Sequence, residues 1–277
     1  MKSTPIFHLF CSMIVAFLTF GHLQPSLAKA QTRSPVVLFD HGHGQAFRFD
    51  RNGELDLSIL KAMFKAQGFR SAMLEGEATF EELAKADVLV ISGPFKAYSQ
   101  IEIRSILNFL EHGGGLCIMI HVPHPLGQVL EELGLAFSSG VVHEQVNVIG
   151  SHDTDFMISS LNSHPITKGL ESFALYGGWA LNNFDKNADE LAFTSKKAWV
   201  DLNRNHRLEP GRDAMQPFCM AVAGRYGKGR FVVFGDDAIF QNKFITQGNK
   251  RLARNVIKWL KTCRYFDKAH SPQLYSL

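Results

Sequence analysis

Four short apolar runs, each meeting a polar loop at its carboxyl end, constrain the fold of this 277-residue chain more than any other feature. They are residues 35–40 (PVVLFD) before His41-Gly42-His43-Gly44, 87–91 (DVLVI) before Ser92-Gly93-Pro94, 116–121 (LCIMIH) ahead of His124, and 230–235 before Asp236-Asp237. Runs this short, rich in β-branched residues and bounded by glycine or proline, read as buried strands, because an amphipathic helix needs a longer stretch with apolar positions every three to four residues. A further strand is expected at 70–74.

Helical patterns lie between the runs. Residues 55–67 put Leu57, Leu60, Met63 and Phe64 on one face and stop at Gly68. Thr79 with Glu82 caps a short helix to Ala86, and Ser99 with Glu102 opens a longer one through Ile103, Ile106, Leu107 and Leu110 to His112. In both pairs the hydroxyl accepts the amide hydrogen three residues on, and the glutamate can return the bond. Further helices are expected at 126–133 and 249–261. Strands alternating with helices predict an α/β fold, doubly wound around a mostly parallel sheet. From 141 to 212 the periodicity weakens, and an irregular, β-rich insertion is expected there. Residues 217–225 and 230–235 read as paired strands around Tyr226-Gly227-Lys228-Gly229.

The first thirty residues carry Lys2, an apolar run over 6–20 and the triplet Ala28-Lys29-Ala30. That order predicts a secretory signal cut after Ala30 and a periplasmic or secreted mature chain. The run is shorter than the roughly 20 apolar residues of a membrane span, so no transmembrane anchor is expected after cleavage. Residues 31–263 are expected to form a single domain and 264–277 a loose tail. Without Lys2 and Lys29 the net charge of +3 falls to about +1, which offers no electrostatic case for nucleic acid. Cys117, Cys219 and Cys263 fit no zinc spacing. Export would permit a Cys219–Cys263 disulfide, but the reading adopted is three buried or free thiols.

In a doubly wound sheet, ligands bind beyond the carboxyl ends of the strands. The expected strands deliver His41, His43, Ser92, Gly93, His121, His124, Asp236 and Asp237 there, and these form the candidate ligand-binding set. His41 and His43, two apart on an extended segment, would point to one side and could grip a metal or a polyhydroxyl ligand. His41, His43, His121 and Asp236 are the candidate ligands for a divalent transition metal such as zinc. The same imidazoles could instead hydrogen-bond backbone carbonyls in a polar loop cluster. Neither HGHG nor GGG has phosphate-loop or dinucleotide spacing, and there is no Gly-x-Ser-x-Gly elbow. Cys117 reads as strand packing. His152-Asp153 and His164-Pro165, in the irregular stretch, could reach over the cleft.

The segments FDHGHGQAF (39–47), EIRSILNFLEHGGGL (102–116), SHPITKGL (163–170), GDDAIFQN (235–242) and GNKRLARNVIKWL (248–260) resemble a branch of the class I glutamine amidotransferase-like superfamily. That branch includes domains of gliding-motility transporter accessory proteins and of an intraflagellar transport component. The His-Pro-Ile-Thr segment is also similar to trehalose-utilisation-type proteins. The resemblance implies a flavodoxin-like, amidotransferase-like sheet with a cleft. In the amidotransferases a cysteine on a tight elbow ends the fourth strand; here Ile120-His121-Val122 stands in that place, and the His-x-Glu partner pair is missing. Glutamine hydrolysis is therefore not expected. The expected function is an exported ligand-binding or accessory domain for a small molecule, a glycan or another cell-envelope component. The alternatives are a metal-assisted hydrolase or isomerase, with Asp236 or Asp237 as base, and a structural subunit of an envelope or transport assembly.

Overall fold

The computed structural model describes residues 33–203, 205 and 207–261. The expected leader and tail, and Cys263, the partner that a Cys219 disulfide would need, lie outside them. Their elements, in chain order, are β1 (Val36–Asp40), α1 (Ser58–Ala66), β2 (Arg70–Leu74), α2 (Phe80–Ala84), β3 (Val88–Ser92), α3 (Gln100–Glu111), β4 (Gly115–Met119) and α4 (Gly127–Glu132). Then follow β5 (Leu135–His143), β6 (Asp155–Ile158), β7 (Ser160–Leu161), β8 (Phe173–Tyr176), β9 (Trp179–Asn183), β10 (Ala188–Phe193), β11 (Trp199–Val200) and β12 (Ala214–Met215). The last three are β13 (Cys219–Tyr226), β14 (Gly229–Phe234) and α5 (Gln247–Leu260).

Side chains alternate across a strand, and here that alternation builds two cores. Val37, Phe39, Val88, Val90, Cys117 and Met119 face a cluster that contains Leu60 and Phe64 of α1 and Leu252, Val256 and Leu260 of α5. Leu38, Leu89, Ile91, Leu116 and Ile118 face the opposite cluster, with Leu83 of α2, Ile103, Ile106 and Leu110 of α3, and Val129 of α4. Both capping pairs are present: Thr79 Oγ1 accepts from Glu82 N, and Ser99 and Glu102 form a complete capping box.

The sheet corrects the expected fold class. It has twelve strands, ten of them along the path β12-β11-β5-β9-β13-β14-β4-β3-β1-β2, with β10 pairing β13 and β7 pairing β10. Among the named strands of the described residues, parallel pairing is confined to β1 with β2 and β3, β3 with β4, and β4 with β14. From β13 outward every pairing is antiparallel, as is the separate β6–β8 pair. The fold is thus a mixed, mostly antiparallel sheet with few helices, and not a doubly wound, mostly parallel one. The tight turn before Gly229 reverses the chain between β13 and β14, and each strand beyond β13 in turn pairs antiparallel to its neighbour.

The stretch expected to be an irregular insertion supplies much of that extension. Two of its strands, β7 and β11, are two residues long and too short to show a period. In β5 and β10, register shifts between Phe137 and Val141 and between Glu190 and Ala192 break the two-residue alternation.

Candidate functional site

The strands β14, β4, β3 and β1 are neighbours and parallel, so their carboxyl ends share one edge. At about 4.8 Å per strand, the residues that follow them occupy a row about 14 Å long. His41, Ser92, Gly93, His121, Asp236 and Asp237 are in that row.

Its centre is a histidine–aspartate pair. His121 Nδ1 lies 3.1 Å from Asp237 Oδ1, and the His121 side chain is 41% exposed while that of Asp237 is 5% exposed. The hydrogen bond to Asp237 raises the His121 pKa and outweighs the opposing effect of partial burial. Trp179 Nε1 donates to the His121 carbonyl at 2.9 Å and holds its backbone. The Phe47 and Phe95 rings flank the imidazole at 5.6 and 5.4 Å between centroids. Phe95 stays half exposed, although its amide is fixed to His43 O at 2.9 Å.

Gly93 is required where it stands. Its φ is +54°, and an added Cβ would lie 2.7 Å from Asp237 Oδ2 and 3.0 Å from His121 Cβ. Asp236, by contrast, braces the backbone: its two carboxyl oxygens accept from Ala238 N and Tyr176 N, both at 2.8 Å. Burial, reinforced by the charge of Asp237, pushes its carboxyl well above the usual range.

Among the described residues, four buried side-chain nitrogen or oxygen atoms make no hydrogen bond, and three of them are on this edge: His41 Nδ1, Ser92 Oγ and Asp237 Oδ2. Each such atom costs about 1–3 kcal/mol, so native proteins hold few of them. Burial, followed by the charge of Arg48, lowers the His41 pKa, which favours a neutral ring.

His43 lies elsewhere. Asp40 Oδ1 accepts from Gly42 N at 3.0 Å, which folds the segment into a turn. The two histidines therefore do not share one extended side as expected. His43 is buried and stacked under Tyr98 at 3.8 Å. Its Nδ1 is 2.9 Å from Asp40 Oδ2 and its Nε2 is 2.9 Å from Glu102 Oε1. Tyr98 Oη and Gln45 Nε2 also donate to Asp40, and the amides of Ala78 and Ser99 donate to Glu102. Desolvation lowers the His43 pKa, but the bond to Asp40 and the two carboxylate charges raise it more. With a carboxylate against each nitrogen, the ring has no free nitrogen with which to bind a ligand or metal.

His124 packs against Phe137 at 5.8 Å. His143, 2.9 Å from Asp153, stacks on Trp199. The described residues include no group of three or more His, Cys, Asp or Glu side chains arranged to hold a metal ion. Of the four metal candidates, His43 and Asp236 are already committed to other partners. Burial pushes the thiols of Cys117 and Cys219 up to about 12, so neither supplies a thiolate.

The sequence reading missed Phe47, Phe95 and Trp179, and it read Glu102 only as a cap. A phenylalanine directly after Ser92-Gly93-Pro94 was the available signal, since loop residues at a strand end face solvent.

A family model described as a domain of unknown function, DUF4350, matches residues 58–257. The chain belongs to the DUF4350 family. No curated protein matches it by sequence. Among solved structures, the mmIFT52 N-terminal domain is 18% identical with a TM-score of 0.65, covering 81% of this chain and 96% of its own. A cytoplasmic protein from Salmonella typhimurium LT2 is 15% identical with a TM-score of 0.52, covering 81% of this chain and 98% of its own. A ThuA-like protein from Bacteroides uniformis is 15% identical with a TM-score of 0.49, covering 83% and 93%. At such identities the first two matches show that this DUF4350 domain shares their fold. They carry no activity across.

Proposed function

We propose that this DUF4350 chain is an exported binding or accessory protein that takes a neutral, polyhydroxylated, carbohydrate-type ligand at the carboxyl edge of β1, β3, β4 and β14. The single observation that carries the reading is the half-exposed His121, paired with Asp237 and flanked by Phe47 and Phe95, with Ser92 Oγ and Asp237 Oδ2 left unpartnered behind it. A sugar hydroxyl both donates and accepts, so it suits a mixture of carboxylate, hydroxyl and imidazole partners. The C–H face of a sugar ring is apolar, and Phe47 and Phe95 beside His121 provide matching surface. Export is supported by the order of charge, apolar run and small residues before Gln31.

The test is calorimetric titration of the chain with trehalose, maltose and cellobiose. At least one should bind, and His121→Ala should weaken it by about tenfold or more. Phe95→Ala should also weaken it while leaving thermal stability unchanged, since that ring is half exposed. Asp237→Asn should move the His121 pKa, read from its ring-proton NMR shifts, down toward 6.5 or below, because the hydrogen bond that raises it is weakened. No saturable sugar binding, or binding indifferent to both His121→Ala and Phe95→Ala, would overturn the reading.

A further inference from the structure

The His121–Asp237 pair has the parts of a proton-transfer device. Asp237 Oδ1 accepts from His121 Nδ1 at 3.1 Å, which holds the neutral ring's proton on that nitrogen. Nε2 is then the nitrogen free to take up a proton, on a side chain that is half exposed. The ring is fixed before any ligand arrives. Trp179 Nε1 donates to the His121 carbonyl, the Gly93 turn closes on the His121 Cβ, and Phe47 and Phe95 stand against the imidazole. Behind it, Ser92 and Asp237 are both more than nine-tenths buried, and their Oγ and Oδ2 have no partner.

The two adjacent carboxyl groups have different roles. Burial holds Asp236 toward its neutral form, and both its oxygens already accept backbone amides, so Asp237 carries the charge that faces the ring. The bond to Asp237 raises the His121 pKa and makes the ring a stronger base. A proton arriving at Nε2 gives an imidazolium that Asp237 stabilises, as a general base requires.

The surroundings narrow the reaction. Glycoside cleavage takes two carboxyl groups facing the bond, about 5–9.5 Å apart, whereas Asp236 is committed to amides and Asp237 to the imidazole. An acyl-thiol route has no nucleophile in Cys117 or Cys219, whose buried thiols are pushed up to about 12. A phosphate ester would bring its negative charge toward Asp237. A neutral carboxylic ester needs one base to activate water, and its acyl group finds apolar surface on Phe47 and Phe95.

We propose that His121 is the general base of a carboxylic-ester hydrolase that removes short acyl groups, such as acetyl, from a hydroxylated, carbohydrate-type ligand. The substrate class rests on the reading of the carboxyl edge given above. His121 Nε2 takes a proton from water as the water oxygen bonds to the acyl carbon. The bond from that carbon to the sugar oxygen then breaks, and the same proton passes to the departing oxygen. One water is consumed, and a carboxylic acid and a free hydroxyl are released. Asp237 is the positioning residue, which steadies the imidazolium between the two transfers.

Hydrolysis of glucose pentaacetate and p-nitrophenyl acetate by the full chain, followed against a protein-free blank, tests it. Saturable turnover is expected, with kcat/KM at least about 100-fold lower in His121→Gln, whose fold is checked by thermal melting. The rate should rise with pH through the His121 pKa measured by NMR, and Asp237→Asn should lower the kinetic and NMR values together. No turnover above the blank, turnover that survives His121→Gln, or a kinetic inflection that ignores Asp237→Asn would each overturn the proposal. Calorimetric binding of an unacylated sugar without ester turnover would sink this proposal alone. Ester turnover without such binding would support it and sink the reading of the site as a receptor for the free sugar.

Discussion

Replacing His43 with alanine is expected to cost about 3 kcal/mol of folding stability and to lower the melting temperature by about 10 °C. The buried imidazolium sits between Asp40 and Glu102, and its loss leaves two carboxylates out of water without the cation between them. Breaking a buried pair of this kind costs about 3–5 kcal/mol. The lower end applies here because Tyr98, Gln45, Ala78 and Ser99 still donate to those carboxylates. The pH dependence identifies the mechanism. His43 has a pKa raised from 6.5, so its stabilisation is complete below 6.5 and fades as pH rises through the folded value. Glu102 has a pKa lowered from 4.5, despite a desolvation penalty that acts the other way. Its contribution is complete above 4.5 and fades as pH falls through the folded value. The stability gap between wild type and variant, measured by urea unfolding, should be widest between pH 4.5 and 6.5 and narrow on both sides. A gap that stays flat from acid to alkaline pH would mean that the loss is one of packing alone.

The second large effect is expected from Gly235→Ala. A Cβ at Gly235 would lie 1.9 Å from the Trp179 carbonyl oxygen, and a backbone atom cannot step aside as the end of a flexible side chain can. The same two residues are joined by the bond from Trp179 N to Gly235 O at 2.8 Å, so relief of the clash would pull the end of β14 away from β9. We expect a loss of at least about 3 kcal/mol, at the upper end for overpacking. Asp236 and Asp237 follow directly, so sugar binding should fall with stability. Gly76→Ala is the contrast: nothing lies within 4 Å of its Cβ position and its φ is not in the left-handed region. It should stay within about 0.5 kcal/mol of wild type in thermal melts. Equal tolerance of both substitutions would refute the steric argument.

The central parallel strands β1, β3 and β4 could be read from the sequence because each is buried on both faces and needs an unbroken apolar run, as in VVLFD, VLVIS and GLCIM. Helix α3 was equally plain, since Ser99, Glu102 and its apolar face all agree. The direction of β13 was open to view as well, in the turn around Gly227, but its consequence for the whole sheet was not. Nothing local in WV or AM says which distant strand will pair with it. At the site, sequence brought His41, Ser92, His121 and Asp237 to one edge because strand ends are predictable. It could not separate His41 from His43, because the Asp40–Gly42 turn that parts them depends on one side-chain hydrogen bond. The aromatic flanks were hidden for a similar reason, since proximity across loops has no period.

One carboxylate described above has a wider consequence. Glu102 closes the first turn of α3, holds the amide of Ala78 ahead of α2 and grips the loop after β1 through His43. Three segments far apart in the chain thus share one node, and none can loosen without disturbing the other two. Through the bond from Phe95 N to His43 O, that node also sets the floor of the carboxyl edge. A ligand arriving there meets a surface already in place, and the ordering entropy of binding is confined to the few side chains that remain exposed, His121 and Phe95 among them.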